Sequence, residues 1–97
     1  MKARKLFHYK AGQGRTIVEM VIWALPIASS GRPHGLKYRL YCGQPGHCVV
    51  RYDNESGKGD HRHYGEHEEA YRFESLETLI MHFCIDCTRL AGWRWPE

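Results

Sequence analysis

"SLETLIMHFCIDCTRLAG", Ser75 to Gly92, decides the fold. Leu76, Leu79, Ile80, Phe83, Cys84, Cys87 and Leu90 recur at the spacing of one helical face. Ser75 suits the N-cap, Glu77 the positive first turn, and Arg89 with Gly92 the C-terminal end. The spacing predicts a helix of about 16 residues with one apolar stripe. Upstream of Ser75 the pattern is that of strands.

"RTIVEMVIWALP" (15–26) is β-branched and aromatic, with both odd and even positions largely apolar. It reads as a central strand, and residues 3–10 can pair with it across "AGQG". "LKYRLYC" sets Leu36, Tyr38, Leu40 and Cys42 against Lys37, Arg39 and Tyr41. "HCVVRYD" sets Cys48, Val50 and Tyr52 against Val49, Arg51 and Asp53, and "GQPG" joins the two runs. Short connections imply an antiparallel meander. The expected fold is α+β: a sheet of about four strands, with the C-terminal helix packed on one face. One helix covers one face only, so the apolar residues on the other face of strand 15–26 call for a lid, a second subunit or a partner.

The chain has 97 residues, 42% hydrophobic and 26% charged, which gives one globular domain and no second core. The net charge of +3 permits a nucleic-acid or acidic partner without demanding one. No apolar run approaches the roughly 18 residues of a membrane span, and the charged start lacks the apolar core of a signal peptide. The expected compartment is the cytoplasm, with Cys42, Cys48, Cys84 and Cys87 reduced. Only Cys84 and Cys87 have the short spacing of a zinc pair. Both lie on the helix stripe, where packing accounts for them, and no metal or cofactor is expected.

Chemistry-bearing groups crowd into "RYDNESGKGDHRHYGEHEEAYRF", Arg51 to Phe73. If residues 60–64 are extended, His61 and His63 share one face, with Asp60, Arg62 and Tyr64 on the other. A His-x-His pair can hold a metal or divide the roles of acid and base. In "NESGKGD", Gly57 and Gly59 flank Lys58, so backbone N–H groups and an ammonium could meet an anion. The loop has neither Walker A spacing nor the glycine of an EF-hand. Lys37, Arg39, Tyr41 and Arg51 add a basic and aromatic surface of the kind that binds RNA.

With these residues in view, the chain resembles the TumE family of bacterial toxin–antitoxin proteins. The likeness rests on Val49 to Phe83, above all the run "YDNESGKGDHRH", with a less specific block upstream. The resemblance implies a cytoplasmic toxin and a cognate antitoxin, typically of helix-turn-helix type. It supplies no mechanism.

The reading is an endoribonuclease toxin that works without metal. His61 and His63 are the expected base and acid. Lys58 supports the charge of the transition state, and Asp53 or Asp60 orients a histidine. Arg51, Arg62, Tyr64, Asn54, Gly57 and Gly59 are the expected substrate contacts. The alternatives are metal-dependent nucleotidyl or phosphate transfer, with Asp53, Asp60 and a histidine as ligands, and a non-enzymatic toxin that blocks a protein target. A homodimer or a toxin–antitoxin complex is expected to bury the open sheet face. His8, His34 and His82 lie outside the motif and should tolerate alanine.

Overall fold

The computed structural model describes residues 2–54 and 58–96. Six strands are followed by one helix: β1 (Arg4–Gln13), β2 (Thr16–Ala24), β3 (Leu36–Gln44), β4 (His47–Asp53), β5 (His61–Tyr64), β6 (His67–Ala70) and α1 (Leu76–Ala91). The strands form one sheet in chain order, and every pair is antiparallel. The α+β meander with its C-terminal helix is as expected, but the strand number is six. "HRHY" and "HEEA" are four residues each and carry almost no apolar signal. A short, charged strand at a sheet edge discourages pairing with other chains. The same composition hides it from a search for apolar alternation.

The ladder assigns side chains to faces. Val18, Met20, Ile22, Tyr38, Leu40, Cys42, Val50 and Tyr52 point to the helix and form the core with Leu79, Phe83 and Cys87. Ser75 caps α1 by accepting from the Thr78 N–H, and Gly92 ends it at φ 67°, in the left-handed region that glycine enters without a steric penalty. The expected stripe is real at its centre. Leu90, at its end, is instead 50% exposed. The "WRWPE" tail does more than its length suggests. Trp93 is 1% exposed. Gln13 and Arg94 exchange two hydrogen bonds of 2.6 and 3.0 Å, and the Trp95 ring N–H donates to the Cys84 carbonyl at 3.1 Å. The tail therefore folds back under β1, beside the helix.

On the opposite face two rows cross the sheet. One reads His8, Val21, Arg39, Asp53, His61, Ala70, and the next Lys10, Glu19, Tyr41, Arg51, His63, Glu68. No helix of the described residues covers these rows.

Candidate active site on the open face of the sheet

The two rows bring Arg51 and Asp53 of β4 beside His61 and His63 of β5, with Glu68 of β6 next in line. Asp53 is 2% exposed and lies between His61 and Arg51. Its Oδ1 lies 2.5 Å from His61 Nε2, and its Oδ2 lies 2.7 Å from Arg51 Nε. Asp53 Oδ1 and Arg51 Nε have no aligned hydrogen bond, so charge and proximity hold the cluster.

Gly59 turns the chain into β5 at φ 70°, and its carbonyl accepts from His61 Nδ1 at 2.9 Å. A carbonyl only accepts, so Nδ1 carries a proton. Nε2 lies against the Asp53 carboxylate at the same time, so both ring nitrogens of His61 face oxygen atoms.

His63 is different. Arg51 Nη2 donates to its Nε2 at 2.9 Å, so that nitrogen is unprotonated. Burial, followed by the Arg51 charge, pushes the His63 pKa below its ordinary value. The two rings meet edge to face, with centroids 5.1 Å apart. The pair therefore consists of two unequal imidazoles: His61 faces a carbonyl and a carboxylate, and His63 accepts from a guanidinium.

Glu68, which sequence reasoning did not single out, completes the group. Its Oε1 lies 3.1 Å from Lys58 Nζ, 3.5 Å from His63 Nε2 and 4.0 Å from His61 Nε2. Lys58 is the main cause that holds its carboxyl below the usual range. Lys58, His61 and Glu68 line a shallow cavity of about 380 Å³. The Lys58 ammonium that holds this carboxylate oxygen marks a place suited to an anion. The signal for Glu68 was its register opposite His63, and that register became visible only with β6.

The rest of the motif faces elsewhere. Asn54 is 1% exposed; its side chain accepts from the Tyr38 N–H at 2.9 Å and donates to the Leu36 carbonyl at 2.8 Å. It prolongs the β3–β4 ladder past the end of β4. Asp60 accepts from Tyr38 Oη at 2.7 Å and from His34 Nε2 at 3.0 Å. It clamps the 26–35 loop and does not reach the histidine pair. Arg62 bonds Glu69 at 2.7 Å and lies over the rings of Tyr52, Tyr64 and Tyr71. Tyr64 donates to Asp86 of α1 at 2.7 Å. Of the expected site residues, Asp53, Lys58, His61, His63 and Arg51 come together. Gly59 shapes their turn. Asn54, Asp60, Arg62 and Tyr64 build the fold, and Gly57 lies outside the described residues.

Asp53, His61 and His63 each offer a ligand atom, all within 4.8 Å of one another, a spacing a divalent metal could use. The Arg51 guanidinium already lies against Asp53 and His63, so an ion would have to displace it. Elsewhere Cys42 and Cys87 are buried, and the Cys42 thiol, followed by burial, raises the Cys87 pKa.

The arrangement defines a small α+β protein with a charged histidine cluster on an uncovered sheet face. The chain belongs to the TumE family: the model described as toxin TumE matches residues 3–91. It is thus a member of a toxin family of toxin–antitoxin systems, and membership implies a cognate antitoxin. No curated protein and no solved structure matches the chain. Among the described residues no helix is long and apolar enough to cross a membrane.

Proposed function

We propose that this toxin is an endoribonuclease that cleaves RNA through the 2′-hydroxyl without metal. The observation that carries the reading is the unequal histidine pair, set between Arg51 and Lys58 on the open face of the sheet. His63 is unprotonated at Nε2 and takes the 2′-hydroxyl proton once Arg51 turns to the phosphate. His61 lines the cavity and gives a proton to the leaving 5′-oxygen, resupplied through Asp53. Arg51 and Lys58 hold the charge that builds on the phosphorus oxygens. The test is purified protein on cellular RNA with a chelator present, with sequencing of cleaved ends after brief induction. RNA left intact under all metal conditions would end this reading.

A second reading has one observation behind it, the Asp53, His61 and His63 triad. Metal-dependent phosphate or nucleotidyl transfer would use these three ligands; Asp60, considered from the sequence, faces away. A chelator that abolishes activity, together with stoichiometric metal in active protein, favours this reading over the first.

The antitoxin, in this reading a helix-turn-helix protein, neutralises the toxin by covering the open face. Ile17, 37% exposed, and the half-buried Val21 and Trp23 give it apolar contacts there. The toxin–antitoxin complex therefore suits this face better than a homodimer.

A further inference from the structure

We propose that the open face of β1–β3 is a track for single-stranded RNA leading to the Asp53–His61–His63 cluster, with Trp23 and Tyr41 as its base platforms. The inference rests on the ribonuclease reading and adds the form of the substrate and the residues that hold it.

Charge is the first observation. Lys5, Lys10, Lys37 and Arg39 stand exposed on this face, and Arg51 continues the series to the cluster. Among the described residues of these strands only Glu19 opposes them, and it is paired with His8 at 3.1 Å. A stripe of one sign spanning the sheet attracts a polyanion and lends it no orientation.

The aromatic rings give the second observation. Trp23 and Tyr41 are the aromatic residues of β2 and β3 that the register sets on this face. The Lys5 ammonium lies 5.1 Å from the Trp23 ring centre, and the Arg39 guanidinium 5.1 Å from that of Tyr41. Each ring is therefore coupled to a cation, so a base stacked on it would bring its phosphate within reach of that charge.

Gly43 explains why Tyr41 lies along the strand. A Cβ at Gly43 would come within 2.5 Å of both the Tyr41 hydroxyl and the His47 carbonyl oxygen. Only glycine leaves room for the phenol to run over the backbone instead of standing away from it. The ring is thereby held low on the sheet as a surface for stacking.

These features select the single-stranded form. A duplex keeps its bases stacked inside, and A-form RNA offers such a sheet only phosphates and 2′-hydroxyls. Unstacked bases can use the rings, and the row from Tyr41 to Arg51 and His63 then delivers the backbone to the cluster.

Fluorescence anisotropy tests this with a labelled 2′-O-methyl RNA strand, which the proposed reaction cannot cleave, and with the same strand in duplex form. The single strand should bind more tightly than the duplex. Trp23→Ala and Tyr41→Ala should each weaken it about tenfold, while Trp23→Phe and Tyr41→Phe hold most of the affinity. Arg39→Glu should weaken it and flatten the salt dependence, whereas Arg89→Glu on the helix should change neither. Circular dichroism confirms that each variant is folded. Equal or tighter duplex binding, or alanine variants that bind like the parent, would overturn the track. Tight, ring-dependent binding with no cleavage of ordinary RNA overturns the ribonuclease reading and leaves the track standing.

Discussion

Asp53 stands between His61 and Arg51: Oδ1 lies 2.5 Å from His61 Nε2, and Oδ2 lies 2.7 Å from Arg51 Nε. All three residues lie on neighbouring strands in one register, so the sheet itself sets the spacing. Asp53→Asn keeps the shape and removes the charge. It leaves the Arg51 charge poorly compensated in a site where Asp53 is 2% exposed. Breaking a buried pair from one side costs about 3–5 kcal/mol. The low end is expected, since Arg51 retains access to water. Denaturant unfolding of parent and variant measures the difference. A loss under about 1 kcal/mol, the range of an exposed pair, would show that the bridge does not hold the cluster.

The depressed pKa of His63 has a consequence for stability with a definite sign. Burial and Arg51 make the folded protein a poorer proton acceptor at this site than the unfolded chain. Near and above neutral pH both states are unprotonated there, and the site contributes no pH dependence. As pH falls below about 6.5 the unfolded chain takes up a proton first, so folding stability declines. His63→Gln removes this contribution. The difference between parent and variant in unfolding free energy should therefore change over the acid range and level off above about pH 7. A difference that stays flat from mildly acidic to mildly basic pH would contradict the assignment.

Much of the site was legible as composition but not as geometry. Period-two alternation separates His61 and His63 from Arg62 and Tyr64, and the structure keeps that separation. Alternation cannot show that Asn54, one residue after Asp53, leaves the ladder to bond the β3 backbone. Nor can it show that Asp60 finds His34, which lies 26 residues upstream. Those contacts depend on where the 26–35 loop comes to rest. The split within the motif gives a test. Asn54→Ala should cost about 2–4 kcal/mol, because it leaves the buried Tyr38 N–H and Leu36 carbonyl without partners. His63→Ala should instead lower the rate of RNA cleavage about 10²–10⁴-fold, with a smaller effect on folding. If the two variants exchange these behaviours, the division of the motif between chemistry and fold is wrong.

Glu68 places a carboxylate where a phosphate would meet Lys58 and the histidines. Its removal should therefore help binding. Glu68→Gln keeps the size and gives up the charge, and its stability change should be small because the group is exposed. KM for RNA should fall by a few fold while turnover stays nearly unchanged, as expected when one exposed charge pair is lost. If turnover instead slows about a hundredfold or more at constant KM, Glu68 has a different role, that of the proton acceptor itself.

The histidines outside the motif are not equivalent, and one of them tests the clamp. His34 accepts from the Leu36 N–H at 3.1 Å, donates to Asp60 at 3.0 Å, and packs on Phe73 with ring centres 4.0 Å apart. His8 sits at the surface, its side chain 44% exposed, and among the described residues pairs only with Glu19. His8→Ala should thus be nearly neutral, while His34→Ala should cost about 2–3 kcal/mol through lost hydrogen bonds and lost ring packing. Asp60 would then keep Tyr38 as its remaining side-chain donor. Since the clamp lies away from the His61–His63 pair, its loss should act through folding alone. Cleavage by His34→Ala should match the parent below its melting transition and fail above it. The parent assayed at the same temperatures is the control. Should the variant be slow while fully folded, His34 belongs to the chemistry, and the boundary drawn around the site must be moved to include the clamp.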